Sequence, residues 1–161
     1  MIDFKPDDFD SFCKVIRDTI ALFEELNEYE NKKLDAIAAN NVLELDKYLN
    51  DEQAYLMKMR GLDSKREKLQ QQLGVTGLPF KEIIEKFDGR ERDSLNSLYD
   101  ELSEKSTELK NAITATRKYI ELHLNTISAM LAKLEGSEGT YDKKGEKEPK
   151  TPPERFTPTK A

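Results

Sequence analysis

The side chains that could perform catalysis or bind a metal are few and widely separated. The sequence contains one cysteine, Cys13, and one histidine, His123. A di-metal site in a helical bundle needs a Glu-x-x-His motif on each of two helices, but the residue three before His123 is Ile120. A zinc site or a disulfide would need further cysteine or histidine residues at suitable spacing. We therefore expect no catalytic residue and no metal site.

The other reactive groups have ordinary structural explanations. One such group is a cluster of four glutamates, which is typical of a solvated helix face when lysines lie nearby to pair with it. Its members are Glu24, Glu25, Glu28 and Glu30, followed by Lys32 and Lys33. Cys13 has no histidine or base arranged with it, so we expect a buried or half-buried small apolar side chain. We expect His123 to be an interfacial or exposed helix residue. The glycines match neither phosphate-binding motif, so we expect no cofactor and no enzyme.

The composition predicts long, exposed helices around a narrow core. Of the 161 residues, 37% are hydrophobic and 36% are charged, and the net charge is −6. Basic and acidic residues are interspersed, so the sequence has no basic stripe for binding nucleic acid. The N-terminus lacks a basic start followed by an apolar block, and no window approaches eighteen apolar residues. With a single cysteine, these features predict a cytoplasmic protein that does not insert into a membrane.

One long amphipathic helix dominates the sequence, over residues 94–134. Its apolar residues recur three, four or seven positions apart, with no proline or glycine between them. They are Leu95, Leu98, Leu102, Leu109, Ile113, Ile120, Leu124, Ile127, Leu131 and Leu134. A helix of this length measures roughly 60 Å, too long for the interior of so small a domain. Its apolar seam must therefore be covered by other helices lying along it.

Proline positions permit a long helix near the N-terminus and another after it. No proline occurs between Pro6 and Pro79. Asp7 or Asp8 is a candidate N-cap for the first helix, which we expect to end near Ala39.

We expect a second helix to begin at Val42, and Asn41 just before it suits a turn or a helix cap. Gly61 marks a candidate bend in this helix, and Gly74 is a natural C-terminal stop. Residues 74–90 predict a loop, a short helix and a turn that cover one end of the bundle, although a loop without a helix is the alternative.

The expected fold is all-α. It is an elongated antiparallel helical bundle or coiled coil of three long helices plus a short helix. Residues 1–136 are expected to form a single helical domain. Residues 137–161 are rich in Pro, Lys and Glu, with only Tyr141 and Phe156 as bulky apolar residues, which predicts a disordered tail.

The apolar seam of the long helix allows two interpretations. The simpler is that every seam residue belongs to the core. The alternative is that part of the seam stays open as a groove for an amphipathic helix of a partner. Apolar positions become more frequent toward the C-terminal end, where Tyr119, Leu122 and Met130 join the stripe. Met and Tyr suit an adaptable binding surface.

The sequence resembles the FlgN family of flagellar export chaperones over residues 9–145. The resemblance begins with a long acidic helical hairpin, which includes EELNEYENKKLDAIAANNVLELDKYLNDEQAYLMKMRGLDSKREKLQQQLG. It continues with a long helix ending YIELHLNTISAMLAKLEG, followed shortly by TYDKKG. Thr116 stands where family members often carry an Asn a few residues before the apolar pair Tyr119 and Ile120.

The resemblance implies a cytoplasmic chaperone of type III export. Its implied clients are the C-terminal helical segments of hook–filament junction proteins, which it protects from premature assembly and helps to deliver to the export apparatus. Covering the apolar face of such a helix would take a groove of apolar residues with a tyrosine at its rim. The expected groove residues are Ile113, Ile120, Leu124, Ile127, Met130 and Leu131, with Tyr119 or Tyr141 at the rim.

Several alternatives stay open at this point. The seam could instead be satisfied by self-association, as in a structural coiled-coil protein, and a homodimer is compatible with either function. The client could be another flagellar component such as the filament cap. The resemblance also implies soluble components of the export apparatus as partners, but no motif indicates where they bind.

Overall fold

A computed structural model describes residues 2–135 of the chain, and this part contains four helices. They are α1 (Pro6–Ala38), α2 (Val42–Gln72), α3 (Phe80–Glu85) and α4 (Gly89–Glu135). The all-α fold with three long helices and one short helix is therefore confirmed. Backbone contacts divide the chain into two units, Met1–Thr116 and Arg117–Ala161, which we describe separately.

Helix α1 begins slightly earlier than the sequence predicts. Pro6 is its first residue and Lys5 is the N-cap, whose side chain makes no capping hydrogen bond. The prediction that Asp7 or Asp8 caps the helix is therefore wrong. Proline suits the first helical position because it lacks the amide hydrogen that would be left without a partner there. Both aspartates lie in the first turn instead, where their charge interacts favourably with the helix dipole.

A tight turn joins α1 to α2, as the asparagine pair predicts. Asn40 adopts a left-handed backbone conformation with φ of 55°, which asparagine tolerates better than most residues. The side chain of Asn41 accepts a hydrogen bond of 3.1 Å from the backbone nitrogen of Glu44 and caps α2. Helix α2 then continues without interruption through Gly61.

Gln70 holds the loop that follows α2. Its buried side-chain amide donates hydrogen bonds to the backbone oxygens of Val75 and Leu78, at 3.2 and 3.3 Å. Gly74 takes the left-handed conformation, with φ of 74°, that ends many helices. The loop thereby delivers Val75 into the core, where it is 1% exposed.

The core of the first unit lies where α3 closes over α1, the end of α2 and the start of α4. It contains Phe9, Phe12, Cys13, Ile16, Ile20, Leu73, Val75, Ile83, Ile84, Phe87, Leu95 and Leu98. The rings of Phe4, Phe9 and Phe87 pack with centroids 5.1 to 5.6 Å apart. The prediction that a short helix covers one end of the bundle is therefore confirmed. Burial raises the pKa of Cys13, which fits a small apolar core residue.

Near the other end of the α1–α2 hairpin, the packing is polar and aromatic. Lys33 of α1 pairs with Glu52 of α2 at 2.6 Å and with Glu30, one turn before it, at 3.1 Å. The hydroxyl of Tyr29 donates to the backbone oxygen of Tyr48, and the two rings meet edge to face. We call these five residues the hairpin clasp.

Glu30 departs from the sequence prediction. The acidic cluster was expected to be a solvated face, and Glu24, Glu25 and Glu28 are indeed exposed. Glu30 is buried, because it lies on the side of α1 that packs against neighbouring helices, and one of its carboxylate oxygens has no hydrogen-bond partner. Burial alone would lower the pKa of Lys33, but its hydrogen bonds to Glu52 and Glu30 outweigh that effect and raise it. Lys33 therefore remains charged and neutralises the buried carboxylate.

Candidate binding surface

The seam residues of α4 that belong to the first unit are mostly covered. Leu95 is fully buried, and Leu98 and Leu109 are each 7% exposed. Leu102 is half-buried, and Ile113 is exposed at 37%. For most of this stretch, the interpretation that seam residues form the core is therefore correct.

The second unit differs, because every seam residue of α4 after Thr116 is exposed. Ile120 is 40% exposed, the least of the group, and Leu124 is 58% exposed. The others are Ile127, Leu131 and Leu134, and Met130 beside them is 58% exposed. We call the surface formed by Tyr119, Ile120, Leu124, Ile127, Met130 and Leu131 the distal α4 face.

The distal α4 face has a centre and one aromatic flank. An α-helix turns by about 100° per residue, so Ile120, Leu124, Ile127 and Leu131 form one continuous stripe. Tyr119 and Met130 lie on one side of that stripe. The ring centroids of Tyr119 and His123 are 4.7 Å apart on the same flank. His123, expected to be interfacial or exposed, is half-buried there.

Leu122 does not belong to this face, although its position beside Leu124 in the sequence predicts that it widens the stripe. It lies two positions before Leu124, a rotation of about 200°, which places the two side chains on roughly opposite sides of the helix. Leu122 is 63% exposed. Helical angle, rather than closeness in sequence, would have distinguished the two leucines.

Thr116, where the family often carries an asparagine, is buried at 3% exposure. Its hydroxyl donates a hydrogen bond of 3.0 Å to the backbone oxygen of Ala112, one turn earlier. A threonine can thus be buried in this helix without needing a polar partner on another element.

The face offers apolar contact rather than reactive chemistry. Among residues 2–135, no group of three His, Cys, Asp or Glu side chains could hold a metal ion. No helix in the same range is long and apolar enough to cross a membrane. Tyr141, the other predicted rim tyrosine, and the predicted tail lie outside the described residues. Exposed leucine, isoleucine and methionine at heptad spacing suit the apolar side of another helix.

Comparison with known proteins identifies the family. No curated protein and no solved structure matches the chain. A family model described as FlgN protein matches residues 1–149. The match covers most of the 161 residues, including the hairpin and all of α4. The chain therefore belongs to the FlgN family of flagellar export chaperones.

Proposed function

We propose that this chaperone acts in the cytoplasm and uses α4 to bind the C-terminal helical segments of hook–filament junction proteins. The observation that supports this most directly is the exposure of the distal α4 face. Those client segments must pack against neighbouring subunits once outside the cell, so each carries an apolar helical face. Covering that face before export prevents premature assembly, and delivery to the export apparatus follows.

The dimensions of the face suit this task. From Ile120 to Leu131 the helix rises roughly 16 Å, which is enough for about three turns of a client helix. Burying one leucine or isoleucine side chain contributes about 1.5 to 3 kcal/mol. The four residues of the central stripe can thus hold a client tightly without a covalent bond or a nucleotide, and release needs no chemical step. Ile113, the remaining residue of the predicted groove, is also exposed on α4, and Tyr119 supplies the rim of the distal α4 face.

Calorimetric titration tests the proposal directly. The full-length protein is titrated with the C-terminal segments of the two junction proteins from its own organism, and with flagellin and filament-cap segments. We expect tight binding of the junction segments alone. Tight binding of the cap segment instead would make this a chaperone for the filament cap and contradict the proposed client.

Substitutions on α4 then locate the contact. Ile120→Asp or Leu124→Asp should weaken client binding by at least about thirtyfold, because each buries a charge against the apolar face of the client. Leu122→Asp is the matched control on the opposite side of the same helix, and it should bind the client normally. Equal loss in all three variants would contradict this location, as would loss of the helical circular dichroism signal.

Self-association is the competing explanation for the same exposed seam. It predicts a stable oligomer of the free protein, dissociated by Ile120→Asp and unable to bind any of the segments. Sedimentation of the wild type and of Ile120→Asp, together with the titration, separates that structural coiled coil from a chaperone.

A further inference from the structure

The first unit contains an open groove that the distal α4 face does not explain. It lies among α1, α2 and α4, has a volume of about 750 Å³, and is lined only by residues between Ile16 and Lys110. Its apolar lining comes from all three of these helices and from Phe80 of α3. The main contributors are Leu22 and Phe23 of α1, Leu56, Met59 and Leu62 of α2, and Leu102 of α4.

The groove is open and apolar at the same time. Leu56 of α2 is 44% exposed, whereas Leu22 of α1 is only 5% exposed. Met59, Leu62 and Leu102 are half-buried. Partly exposed apolar side chains on two neighbouring helices, above a buried apolar floor, form the kind of groove that accepts the apolar face of a third helix.

The charge of the lining differs in sign from the charge of the whole protein. Three basic residues and one acidic residue line the groove, which gives a charge of +2, whereas the chain carries −6. Asp63, the acidic one, is tied to Arg66 at 2.8 Å. Neither Arg60 nor Lys110 takes part in an ion pair within residues 2–135. Two cations, one on α2 and one on α4, are therefore available to a ligand.

We propose that this groove is a second docking site, and that it takes an amphipathic helix of a partner protein with acidic residues flanking its apolar face. The α2 wall extends from Leu56 to Arg66, which corresponds to roughly 15 Å of helix, or about three turns. The apolar stripe of the ligand helix packs between the leucines of α2 and α4. Its acidic flanks meet Arg60 and Lys110.

Charge argues against the C-terminal part of this chain as the occupant. Residues 117–135 carry three basic and two acidic side chains, a charge of +1. Residues 137–161 carry six basic and five acidic side chains, again +1. Neither segment supplies the acidic excess that complements Arg60 and Lys110, so the groove fits a partner of opposite charge better.

Synthetic helices test the charge preference. The probe is a peptide of about eighteen residues with leucines on one face and glutamates on both flanks, and its match has lysine at each glutamate position. Fluorescence anisotropy with the full-length protein should show the glutamate peptide binding at least about tenfold more tightly than the lysine peptide. Equal affinity for the two peptides would overturn the proposal.

Paired variants test the location. The single variant Leu56→Asn should weaken binding of the glutamate peptide by about tenfold. The double variant, which combines Arg60→Glu with Lys110→Glu, should weaken it by a similar factor. The matched controls are Leu43→Asn, at an exposed position of α2, and Lys47→Glu with Lys86→Glu, which changes the net charge equally. The controls and Ile120→Asp should bind this peptide as the wild type does. Loss of affinity in the controls, or in Ile120→Asp, would place the peptide elsewhere and overturn the proposal.

Two further outcomes would reassign the groove. If a chain ending at residue 135 binds the glutamate peptide about tenfold more tightly than the full chain, the tail occupies the groove. If the free protein is a dimer that Leu56→Asn dissociates, a second copy occupies it. Because binding of junction-protein segments is measured separately on the distal α4 face, failure here leaves the proposed function standing.

Discussion

The two parts of α4 share one apolar spacing but differ in burial. Leu95 and Leu98 are 0 and 7% exposed, whereas Ile120 and Leu124 are 40 and 58% exposed. Both pairs lie on an unbroken helix with the same three- and four-residue intervals. Periodicity therefore predicts that a segment is a helix with an apolar side, but the packing partner decides whether that side is core or surface. The uncovered part is the one that we propose as the client-binding surface.

Truncating one leucine in each part gives the largest expected contrast. Leu95→Ala should lower the free energy of unfolding by about 3 kcal/mol, because it removes a fully buried side chain and leaves a cavity. Leu124→Ala should change it by less than about 0.5 kcal/mol, since the side chain is exposed. Guanidinium unfolding followed by circular dichroism measures both.

The same experiment can contradict the comparison. A loss above about 1.5 kcal/mol for Leu124→Ala would mean that the distal α4 face is covered in solution, by the chain itself or by a second copy. Repeating the measurement over a tenfold range of protein concentration separates these cases, because only an oligomer becomes more stable as concentration rises.

The hairpin clasp predicts a smaller effect, which depends on pH. Lys33→Met should cost about 2 kcal/mol near neutral pH, because it leaves the buried Glu30 carboxylate without its counter-charge. The pKa of Lys33 is raised in the folded protein, so its stabilising contribution is complete below the ordinary lysine pKa and disappears as the pH rises through the raised value. The difference between wild type and variant should therefore be constant from about pH 6 to 9 and shrink above about pH 10.5.

An exposed ion pair provides the control for that variant. Lys14 pairs with Asp18 at 2.9 Å, but their side chains are 71 and 39% exposed. Lys14→Met should cost less than about 0.5 kcal/mol, because solvent screens the pair. Equal losses in the two variants would mean that Glu30 is solvated in solution and that the clasp adds nothing beyond a surface contact.

Much of the fold was predictable because the chain carries its own boundary signals. Asn41, Gly74 and Pro79 mark helix ends through local backbone preferences, and the structure places the ends there. The prediction failed at Lys5 and Pro6, where a proline and a nearby aspartate were both acceptable local starts. Local sequence alone could not decide which of these residues begins the helix.

The surfaces were harder to predict because burial depends on residues far away in the sequence. Glu30 lies in an acidic cluster, and nothing beside it shows that Lys33 and Glu52 will accompany it into a buried site. The groove beside Leu56 likewise combines residues of all four helices, so no single segment contains its pattern. The distal α4 face was predictable in residue content, since its stripe continues along one helix. Its exposure was only one of two interpretations.

The smallest expected effects come from replacing two glycines, which should change the stability of the protein without changing client binding. Gly61 lies within α2 with open space where a Cβ atom would be placed, so Gly61→Ala should raise the free energy of unfolding by about 1 kcal/mol. Gly74→Ala is the matched control with the opposite sign, because a left-handed φ of 74° disfavours a side chain. It should lower stability by about 1 kcal/mol. Since both glycines belong to the first unit, neither change should alter the client affinity of the distal α4 face. An altered calorimetric affinity in Gly61→Ala would mean that client binding depends on the hairpin as well as on α4.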